Sequence, residues 1–293
     1  MYTTHYTMID PQNGNLAFRI FPFEDASSFQ PIQRLSFFSL ILIQEGSAHL
    51  TADFNEYQID APALLAFSPY QPFMMQSSAP LKGWVINFHA AFFCIFKHHE
   101  EISSNGLLFN NIYQPPYLQL SPQDVLHFEM LIEQMIVEIQ KPELAQYELL
   151  ISYLKIVLIK AARLKLDQQP ALKEENGNTK EPFVLQKLKD AIEAHHRSKH
   201  SASDYAALLN ISPKALAKIT KAYFHKTLTD LISERIIIEA KRELYLTSKP
   251  VKEIAFELGF EDEFYFSRFF KKNAEISPQY YRDTVGFAAG ERG

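Results

Sequence analysis

Short apolar segments separated by turn residues fill the first third of the chain. Proline and serine punctuate them at Pro62, Ser68-Pro69 and Pro80, and Asn55 marks a further turn. Short strands with frequent turns are typical of a sandwich or barrel, so we predict β structure from Leu16 to about Phe96. The segments assigned to strands are Phe37–Ile43, Ala48–Phe54, Tyr57–Ile59, Ala63–Phe67, Phe73–Gln76 and Trp84–Phe88.

Helical periodicity replaces the strand pattern after residue 120. Ser121-Pro122 opens a helix predicted over Gln123–Gln140, and Pro142 separates it from a second helix predicted over Glu143–Asp167. The second helix carries two apolar stripes, one of which can cover the β domain while the other pairs with a second copy of the chain. Burial of both stripes within one protomer is the alternative. The first stripe is Leu150, Leu154, Val157, Ala161 and Leu164, and the second is Leu144, Tyr147, Ile151 and Leu158.

The C-terminal third repeats one pattern: a short helix, a tight turn, and a helix with a polar outer face. In the second copy Gly259 ends the first helix and Asp262 can cap the next, whose inner side is Phe266, Phe269 and Phe270. In the first copy, Ser201 and Asp204 cap a helix through Leu209, Asn210 forms the turn, and Ser212-Pro213 begins the next helix. This is the pattern of a helix-turn-helix, whose second helix, the recognition helix, can enter a DNA major groove.

The two copies are in register. A shift of fifty residues superposes Ser212 on Asp262 and Leu216 on Phe266. Between them, Thr227–Thr247 is one helical pattern that spans roughly 30 Å at 1.5 Å per residue. Successive major grooves on one face of B-DNA recur about every 34 Å. The connecting helix therefore has the length needed to hold two recognition helices in adjacent grooves.

The segment IAFELGFEDEFYFSRFFKK…SPQYYR resembles the signature of the AraC/XylS family of bacterial transcription regulators. The resemblance covers about Pro182 to Val285 and continues upstream through LLNISPKAL and SERIIIEAKREL. It implies a seven-helix DNA-binding domain with two helix-turn-helix units, usually attached to an effector-binding or dimerising domain. The family usually has glycine where His225 and Glu275 stand here, so these residues must adopt a left-handed backbone or end their helices differently.

Before such a domain, the β segment resembles the cupin-type barrel common in the family. We therefore expect an α+β fold in two domains, an N-terminal cupin-like barrel with two helices and a C-terminal all-α domain. The predicted boundaries are 1–167 for the effector-binding and dimerisation domain, 168–182 for a polar linker, 183–285 for the DNA-binding domain and 286–293 for a tail.

The outward-facing positions of the family's recognition helices, transferred onto this sequence, give candidate DNA contacts. Lys214 and Lys218 suit guanine O6 and N7, the fork of Arg268 can bind guanine bidentately, and Lys221 is assigned to phosphate. Three acids at the start of the second recognition helix repel phosphate, so we expect the second unit to bind more weakly than the first. The full set is Ser212, Lys214, Ala217, Lys218, Lys221, Glu263, Phe264, Tyr265, Ser267, Arg268 and Lys271.

Charge and cysteine content agree with this division. Residues 183–285 hold 17 Lys and Arg against 14 Asp and Glu, a surplus of three positive charges, whereas residues 1–182 hold 11 against 19. The basic part could meet phosphate, and the acidic part is not suited to it. The single Cys94 excludes a disulfide framework and fits a reducing cytoplasm, and neither a signal peptide nor a membrane span is predicted.

We expect no metal, cofactor or catalytic residue. Metal-binding cupins need clustered histidines, whereas His49 and His89 stand alone in the strand region and neighbours such as His195-His196 diverge on a helix. A small-molecule pocket near Tyr70, Met74, Met75 and Trp84 is possible, with simple core filling as the alternative. The sequence thus predicts a cytoplasmic DNA-binding activator, a homodimer that senses a small molecule and contacts RNA polymerase as the family resemblance implies. A regulator controlled by a protein partner and a cupin enzyme fused to a DNA-binding domain stay open.

Overall fold

A computed structural model describes residues 4–10, 14–52, 55–93, 95, 107–109, 111–141, 143–168 and 183–285. The chain divides into two compact units, the first formed by residues 1–111 and 115–169 and the second by residues 112–114 and 170–293. Unit 1 is built on β-sheets and the described part of unit 2 is helical, which confirms the α+β fold class. Cys94, His98 to Glu101 and almost all of the predicted linker lie outside the described residues.

The described part of unit 1 contains nine strands in two antiparallel sheets. The larger sheet has the order β1-β2-β8-β3-β6-β9, and the smaller has the order β5-β4-β7. The strands are β1 (Tyr6–Ile9), β2 (Leu16–Phe23), β3 (Phe38–Glu45), β4 (Ser47–Ala52), β5 (Asn55–Asp60), β6 (Ala63–Phe67), β7 (Phe73–Gln76), β8 (Lys82–Phe88) and β9 (Tyr117–Gln119).

The apolar core of unit 1 lies between the two sheets. Ile41 and Val85 on the larger sheet share one buried cluster with Leu50 and Met75 on the smaller sheet. Side chains alternate between faces along a strand, so Leu40 and Leu42 point to the opposite face of the larger sheet, and they are buried as well. Among the described strands no ladder joins the two sheets, so they form a sandwich, and closure into a barrel is not seen.

The structure confirms some of the strand predictions and contradicts others. β6 and β7 have the predicted limits, but Asn55 begins β5 and is not a turn residue. β1 and β9 were not predicted, because each is a short edge strand without an apolar run. Position in the sheet, which the local pattern does not contain, decides these two elements.

Two helices complete unit 1, α1 (Pro122–Gln140) and α2 (Gln146–Gln168). The hydroxyl of Ser121 accepts a hydrogen bond from the Asp124 amide and the Asp124 carboxylate accepts from Ser121, so α1 begins with a capping box. The predicted start of α2 at Glu143 is wrong. Ala145 has a left-handed φ of 61°, which no α-helix accommodates, so the helix begins after it.

The apolar stripe of α2 that was predicted to pair with a second copy does not form a surface. Leu144 lies outside the helix and is 99% exposed, whereas Leu158 is fully buried with the first stripe. The Tyr147 hydroxyl donates to the Phe92 carbonyl at 2.9 Å, and its ring packs edge-on against Phe92. Both stripes are therefore used mainly within the protomer, which is the alternative interpretation of the sequence.

The described part of unit 2 contains seven helices, as the family resemblance implies. The longest, α6, is the centre of the unit, because it contacts each of the other six helices. The helices are α3 (Phe183–His195), α4 (Ala202–Leu208), α5 (Pro213–Phe224), α6 (Leu228–Leu246), α7 (Val251–Glu257), α8 (Glu263–Ala274) and α9 (Pro278–Val285). None of the helices in the described ranges is long and apolar enough to cross a membrane.

Candidate nucleic-acid interface

The first helix-turn-helix consists of α4, a turn at Asn210, and α5. Ser201 and Asp204 form a capping box at the start of α4, as predicted. At its end, the Ile211 amide donates to the Ala206 carbonyl and the Asn210 amide to the Ala207 carbonyl, which is a Schellman motif. Asn210 supplies the left-handed residue with φ 53°, and the Ser212 hydroxyl then accepts from the Ala215 amide to begin α5.

The second helix-turn-helix consists of α7, a turn at Gly259, and α8, with the same hydrogen bonds. The Phe260 amide donates to the Ala255 carbonyl at 2.9 Å, and Gly259 has φ 79°. The Asp262 carboxylate accepts from the amides of Phe264 and Tyr265 at 3.2 and 2.7 Å. Asp262 therefore serves as the helix cap that its sequence position predicts.

The two units superpose with one difference. The recognition helices α5 and α8 are fifty residues apart, but α4 and α7 are separated by forty-nine, so the second turn is one residue longer and contains Glu261. Both recognition helices end in a left-handed residue, His225 with φ 55° and Glu275 with φ 63°. Both helices thus end in the left-handed conformation for which the family usually has glycine. His225 and Glu275 adopt it although a residue with a Cβ is less stable in this conformation.

The candidate contact residues lie on the outer faces of α5 and α8. Phe264 and Tyr265 are 72% and 57% exposed although both are large aromatic residues. Ser267 is half-buried, and so is Glu263 in the first turn. The other exposed candidates are Ser212, Lys214, Ala217, Lys218, Lys221, Arg268 and Lys271.

The candidate cations on these outer faces lack the carboxylate partners that several other cations of unit 2 have. Lys226 pairs with Glu234 at 2.8 Å, and Lys249 pairs with Glu257 at 2.6 Å. Within the described ranges no carboxylate pairs with any of the five candidate cations on α5 and α8. The charge of the five candidate cations is therefore available to an external anion, whereas Lys226 and Lys249 are held by carboxylates of their own unit.

The connecting helix α6 is buried over its whole length. Its 19 residues rise through roughly 28 Å at 1.5 Å per residue, which matches the expected spacing. Ile232, Ile236, Ala240 and Leu244 form the predicted apolar stripe, and each is at most 1% exposed. Thr227 and Asp230 form the predicted capping box at its start. The helix is therefore held by packing on its sides as well as by its own hydrogen bonds.

A buried carboxylate at the middle of α6 connects it to the segment that follows α3. Glu239 is 3% exposed and lies 2.5 Å from Nη2 of Arg197 and 3.0 Å from Nη1 of Arg235. Burial alone would raise the pKa of Glu239, but the charges of Arg235 and Arg197 outweigh burial and hold it below the ordinary value. Glu239 therefore stays ionised and joins both parts of the unit.

The turn of the second helix-turn-helix also contacts the segment that precedes the first. A Cβ on Gly259 would overlap the backbone carbonyl oxygen of Arg197, so the two backbones pass each other with no room for a side chain. The Phe260 ring packs against the His200 ring at 4.7 Å, and burial lowers the pKa of His200. The two recognition helices are thus positioned by a direct contact in addition to α6.

Sequence reasoning did not find this second connection. Arg197, Glu239 and the role of Phe260 carried no recognised motif. One signal was present: Glu239 stands on the apolar side of α6 with Arg235 four residues before it and Arg242 three residues after it. A carboxylate with this spacing among apolar residues indicates a buried ion network.

In unit 1 the four residues suggested for a ligand pocket do not share one face. Met75 is buried in the core cluster, and Met74 points to the other side of β7. Trp84 lies opposite Leu42 in the larger sheet, on the face away from Val85 and the core. The alternative, in which these side chains fill separate parts of the structure, agrees with this arrangement.

The isolated histidines have ordinary partners. His49 lies 3.4 Å from Glu56, and Nδ1 of His89 accepts from the Ala91 amide at 3.2 Å. In the part of the chain that the structure describes, no three His, Cys, Asp or Glu residues are grouped so that they could hold a metal ion.

Comparison with known proteins finds matches for the helix-turn-helix unit. A family model described as a helix-turn-helix domain matches residues 205–284. The HTH-type transcriptional activator Btr of Bacillus subtilis is 30% identical over 115 residues, which are 35% of this chain and 22% of Btr. The regulatory protein SoxS of Escherichia coli is 34% identical over 67 residues, 23% of this chain and 63% of SoxS.

The chain thus spans less than two thirds of the length of these relatives. Among solved structures, ToxT of Vibrio cholerae covers 97% of this chain with 97% of its own, at 16% identity and a TM-score of 0.40. The sequence matches fall on the unit that contains both capped turns, both outward-facing recognition helices and the connecting helix. This unit is therefore a helix-turn-helix domain similar to the DNA-binding domains of AraC/XylS-type regulators.

Proposed function

We propose that the chain is a sequence-specific DNA-binding transcription activator that works in the cytoplasm and is not an enzyme. The observation that carries the proposal is the pair of equivalent recognition helices, each with unpaired cations on its outer face. One rigid unit holding both helices suits adjacent major grooves on one side of a duplex. RNA polymerase is proposed as a partner because the family resemblance implies it.

Each outward-facing residue has a proposed role. Lys214, Lys218 and Arg268 contact guanine edges, Phe264 packs on a thymine methyl group, and Lys221 meets phosphate. Asp262 uses both carboxylate oxygens on the start of α8, which partly offsets its repulsion of phosphate. Glu261 and Glu263 keep their repulsion, so the second unit is proposed to bind more weakly than the first. Ser212, Ala217, Glu263, Tyr265, Ser267 and Lys271 complete the proposed surface.

The test begins with selection of bound sites from random DNA by the full-length protein. Lys214→Ala should reduce binding to the selected site about 5- to 150-fold with little effect on random DNA, because a base contact is worth about 1–3 kcal/mol. Lys221→Ala should weaken both DNAs alike and reduce the salt dependence. Equal effects of the two substitutions on both DNAs would contradict these roles, and a larger loss from Arg268→Ala than from Lys218→Ala would contradict the order of strength.

Unit 1, with the proposed boundaries 1–167, is assigned the sensing of a small molecule and the formation of a homodimer. The β-sandwich of unit 1 is proposed for the first role because the family resemblance implies an effector-binding domain before the DNA-binding domain. For the second role, α1 offers Leu126, Met130 and Val137, which lie on one side of the helix and are 59%, 62% and 53% exposed. We propose this surface of α1 as the dimer contact, because the stripe of α2 predicted for that contact is largely buried within the protomer. The linker at 168–182 and the tail at 286–293 stay as predicted from the sequence.

A further inference from the structure

Three polar side chains form a row across the inner face of the larger sheet of unit 1. Arg19 on β2 lies opposite Asn87 on β8, and Asn87 lies opposite Ser39 on β3. Two residues further along the same strands are Phe21, Val85 and Ile41, which contact or belong to the core between the sheets. Alternation along the strands therefore points the polar row into the sandwich, at the end of the sheet where β3 begins and β8 ends.

The hydrogen-bonding groups of this row are buried without partners. Asn87 is fully buried and Ser39 is 1% exposed. Neither the amide oxygen nor the amide nitrogen of Asn87 has a hydrogen-bond partner within the described ranges, and the Ser39 hydroxyl and the Nε of Arg19 have none either. Buried polar groups are normally satisfied, because leaving them unpaired costs free energy. Four such atoms on neighbouring strands indicate that another molecule completes them.

The surroundings restrict what that molecule is. Arg19 forms no ion pair within the ranges that the structure describes, and its guanidinium lies 4.9 Å from the centre of the Phe21 ring. Phe67 continues the row on β6, next to Ser39, and stacks on Phe73 of the smaller sheet at 3.9 Å. The row is thus a cation and two neutral hydrogen-bonding groups, bounded by aromatic rings and followed by apolar residues.

Donors and acceptors can be matched one by one. The Arg19 guanidinium and the Asn87 amide nitrogen donate, which suits the two oxygens of a carboxylate. The Asn87 amide oxygen accepts only and requires a donor such as a hydroxyl group, while the Ser39 hydroxyl can serve in either direction. A neutral sugar would leave Arg19 without a counter-charge, and a fatty acid would leave the Asn87 oxygen unpaired.

We propose that Arg19, Asn87 and Ser39 bind the polar end of a small hydroxylated carboxylate, a compound of the sugar-acid type. This inference rests on the sensing role proposed for unit 1. The carboxylate neutralises Arg19, a neighbouring hydroxyl completes Asn87, and the remaining carbon atoms lie toward Phe21 and Ile41. The bound molecule would link β2, β8 and β3 through groups that are unsatisfied without it.

The experiment measures the melting temperature of the full-length protein with a panel of hydroxycarboxylates of three to six carbons, namely glycerate, tartrate, gluconate and galacturonate. Sorbitol supplies the hydroxyls without the carboxylate, and hexanoate supplies the carboxylate without the hydroxyls. We expect at least one panel member to raise the melting temperature of unit 1 by about 5 °C or more at saturation, and sorbitol and hexanoate to have little effect.

Asn87→Leu gives a second, independent readout. Leucine has a similar size and no unsatisfied polar atoms, so this variant should melt at a higher temperature than the unliganded wild type and lose the response to the panel. Gln58→Leu, on the exposed face of β5, is the control and should keep the response. An ordered water molecule alone in the row would give the opposite pattern, with Asn87→Leu destabilised and no panel member active.

The proposal is overturned if no panel member acts, if sorbitol or hexanoate acts equally well, or if Asn87→Leu lowers the melting temperature. Gel-shift binding of the wild-type protein to its selected DNA site is measured in parallel. Retained DNA binding with an inactive panel refutes the sugar-acid site and leaves the regulator intact, whereas loss of specific DNA binding refutes the proposed function itself.

Discussion

Replacing Gly259 by alanine should destabilise unit 2 far more than the same change at the equivalent turn. Gly259 has φ 79°, and a Cβ there would overlap the carbonyl oxygen of Arg197. The obstacle is backbone, which cannot rotate away as a side chain would. The second helix-turn-helix must then move relative to the segment from Arg197 to His200, and the contact between Phe260 and His200 is lost.

The expected loss of unfolding free energy is the sum of a backbone contribution and a packing contribution. A left-handed backbone costs an alanine about 1 kcal/mol relative to glycine. Forcing extra atoms into a closely packed site adds about 1–3 kcal/mol. We therefore expect Gly259→Ala to lower the free energy of unfolding by about 2–4 kcal/mol, which corresponds to roughly 10–25 °C in the melting temperature of a domain of this size.

Urea unfolding of the full-length protein, followed by far-ultraviolet circular dichroism, measures this change. The single tryptophan, Trp84, lies in unit 1, so its fluorescence shows separately that unit 1 is unchanged. The matched control is Asn210→Ala, because Asn210 is also left-handed, with φ 53°, but its side chain is exposed. This control carries only the backbone term and should cost at most about 1 kcal/mol.

The comparison of the two variants tests whether the contact between Gly259 and Arg197 stabilises unit 2. If Gly259→Ala costs no more than Asn210→Ala, the close approach to Arg197 does not hold the two helix-turn-helix units together. DNA binding adds a second criterion: Gly259→Ala should weaken binding to the selected site even where the variant remains folded, because the recognition helices no longer keep their relative position.

Three further predictions concern the ion network, the buried lysine and the proposed dimer. Glu239→Gln should lower the free energy of unfolding by about 2–3 kcal/mol at pH 7, because its arginine partners lose their counter-charge. Because the pKa of Glu239 is lowered in the folded state, urea titrations at several pH values should show this difference begin to shrink below pH 4.5 and vanish only as the pH falls through the lowered pKa. Lys165 is 4% exposed and burial lowers its pKa to about 8 from 10.5, so the wild type should gain stability relative to Lys165→Met between pH 8 and 10.5; parallel curves would contradict this. Met130→Glu should shift full-length protein from dimer to monomer in sedimentation, whereas Leu144→Glu, outside the helix, should not.

Local signals predicted unit 2 well. The capping pairs at Ser201 and Thr227 and the turns at Asn210 and Gly259 depend on a few neighbouring residues, and each lies where the sequence indicates. What the sequence did not contain was the contact between Gly259 and Arg197. That contact joins residues about sixty positions apart, and only the packed fold brings them together.

In unit 1, by contrast, the sequence indicated several strands but not how they pair. Several strands were predicted from apolar runs, but their pairing was not. A shared pocket for Trp84 and Met75 therefore stayed open beside core filling, although Trp84 lies on the face of the larger sheet away from the core that contains Met75. The same missing information concealed the row of Arg19, Asn87 and Ser39. Each residue is unremarkable in its own strand, and only the register of three strands brings their unsatisfied groups together.

The central claim is that α5 and α8 occupy adjacent major grooves on one face of the DNA. Missing-contact footprinting of the full-length protein on its selected site tests it most directly. We predict two windows of essential bases centred about 10 base pairs apart, with Lys218→Ala removing one window and Arg268→Ala removing the other. A single window, two windows half a helical turn apart, or loss of the same window in both variants would contradict the account.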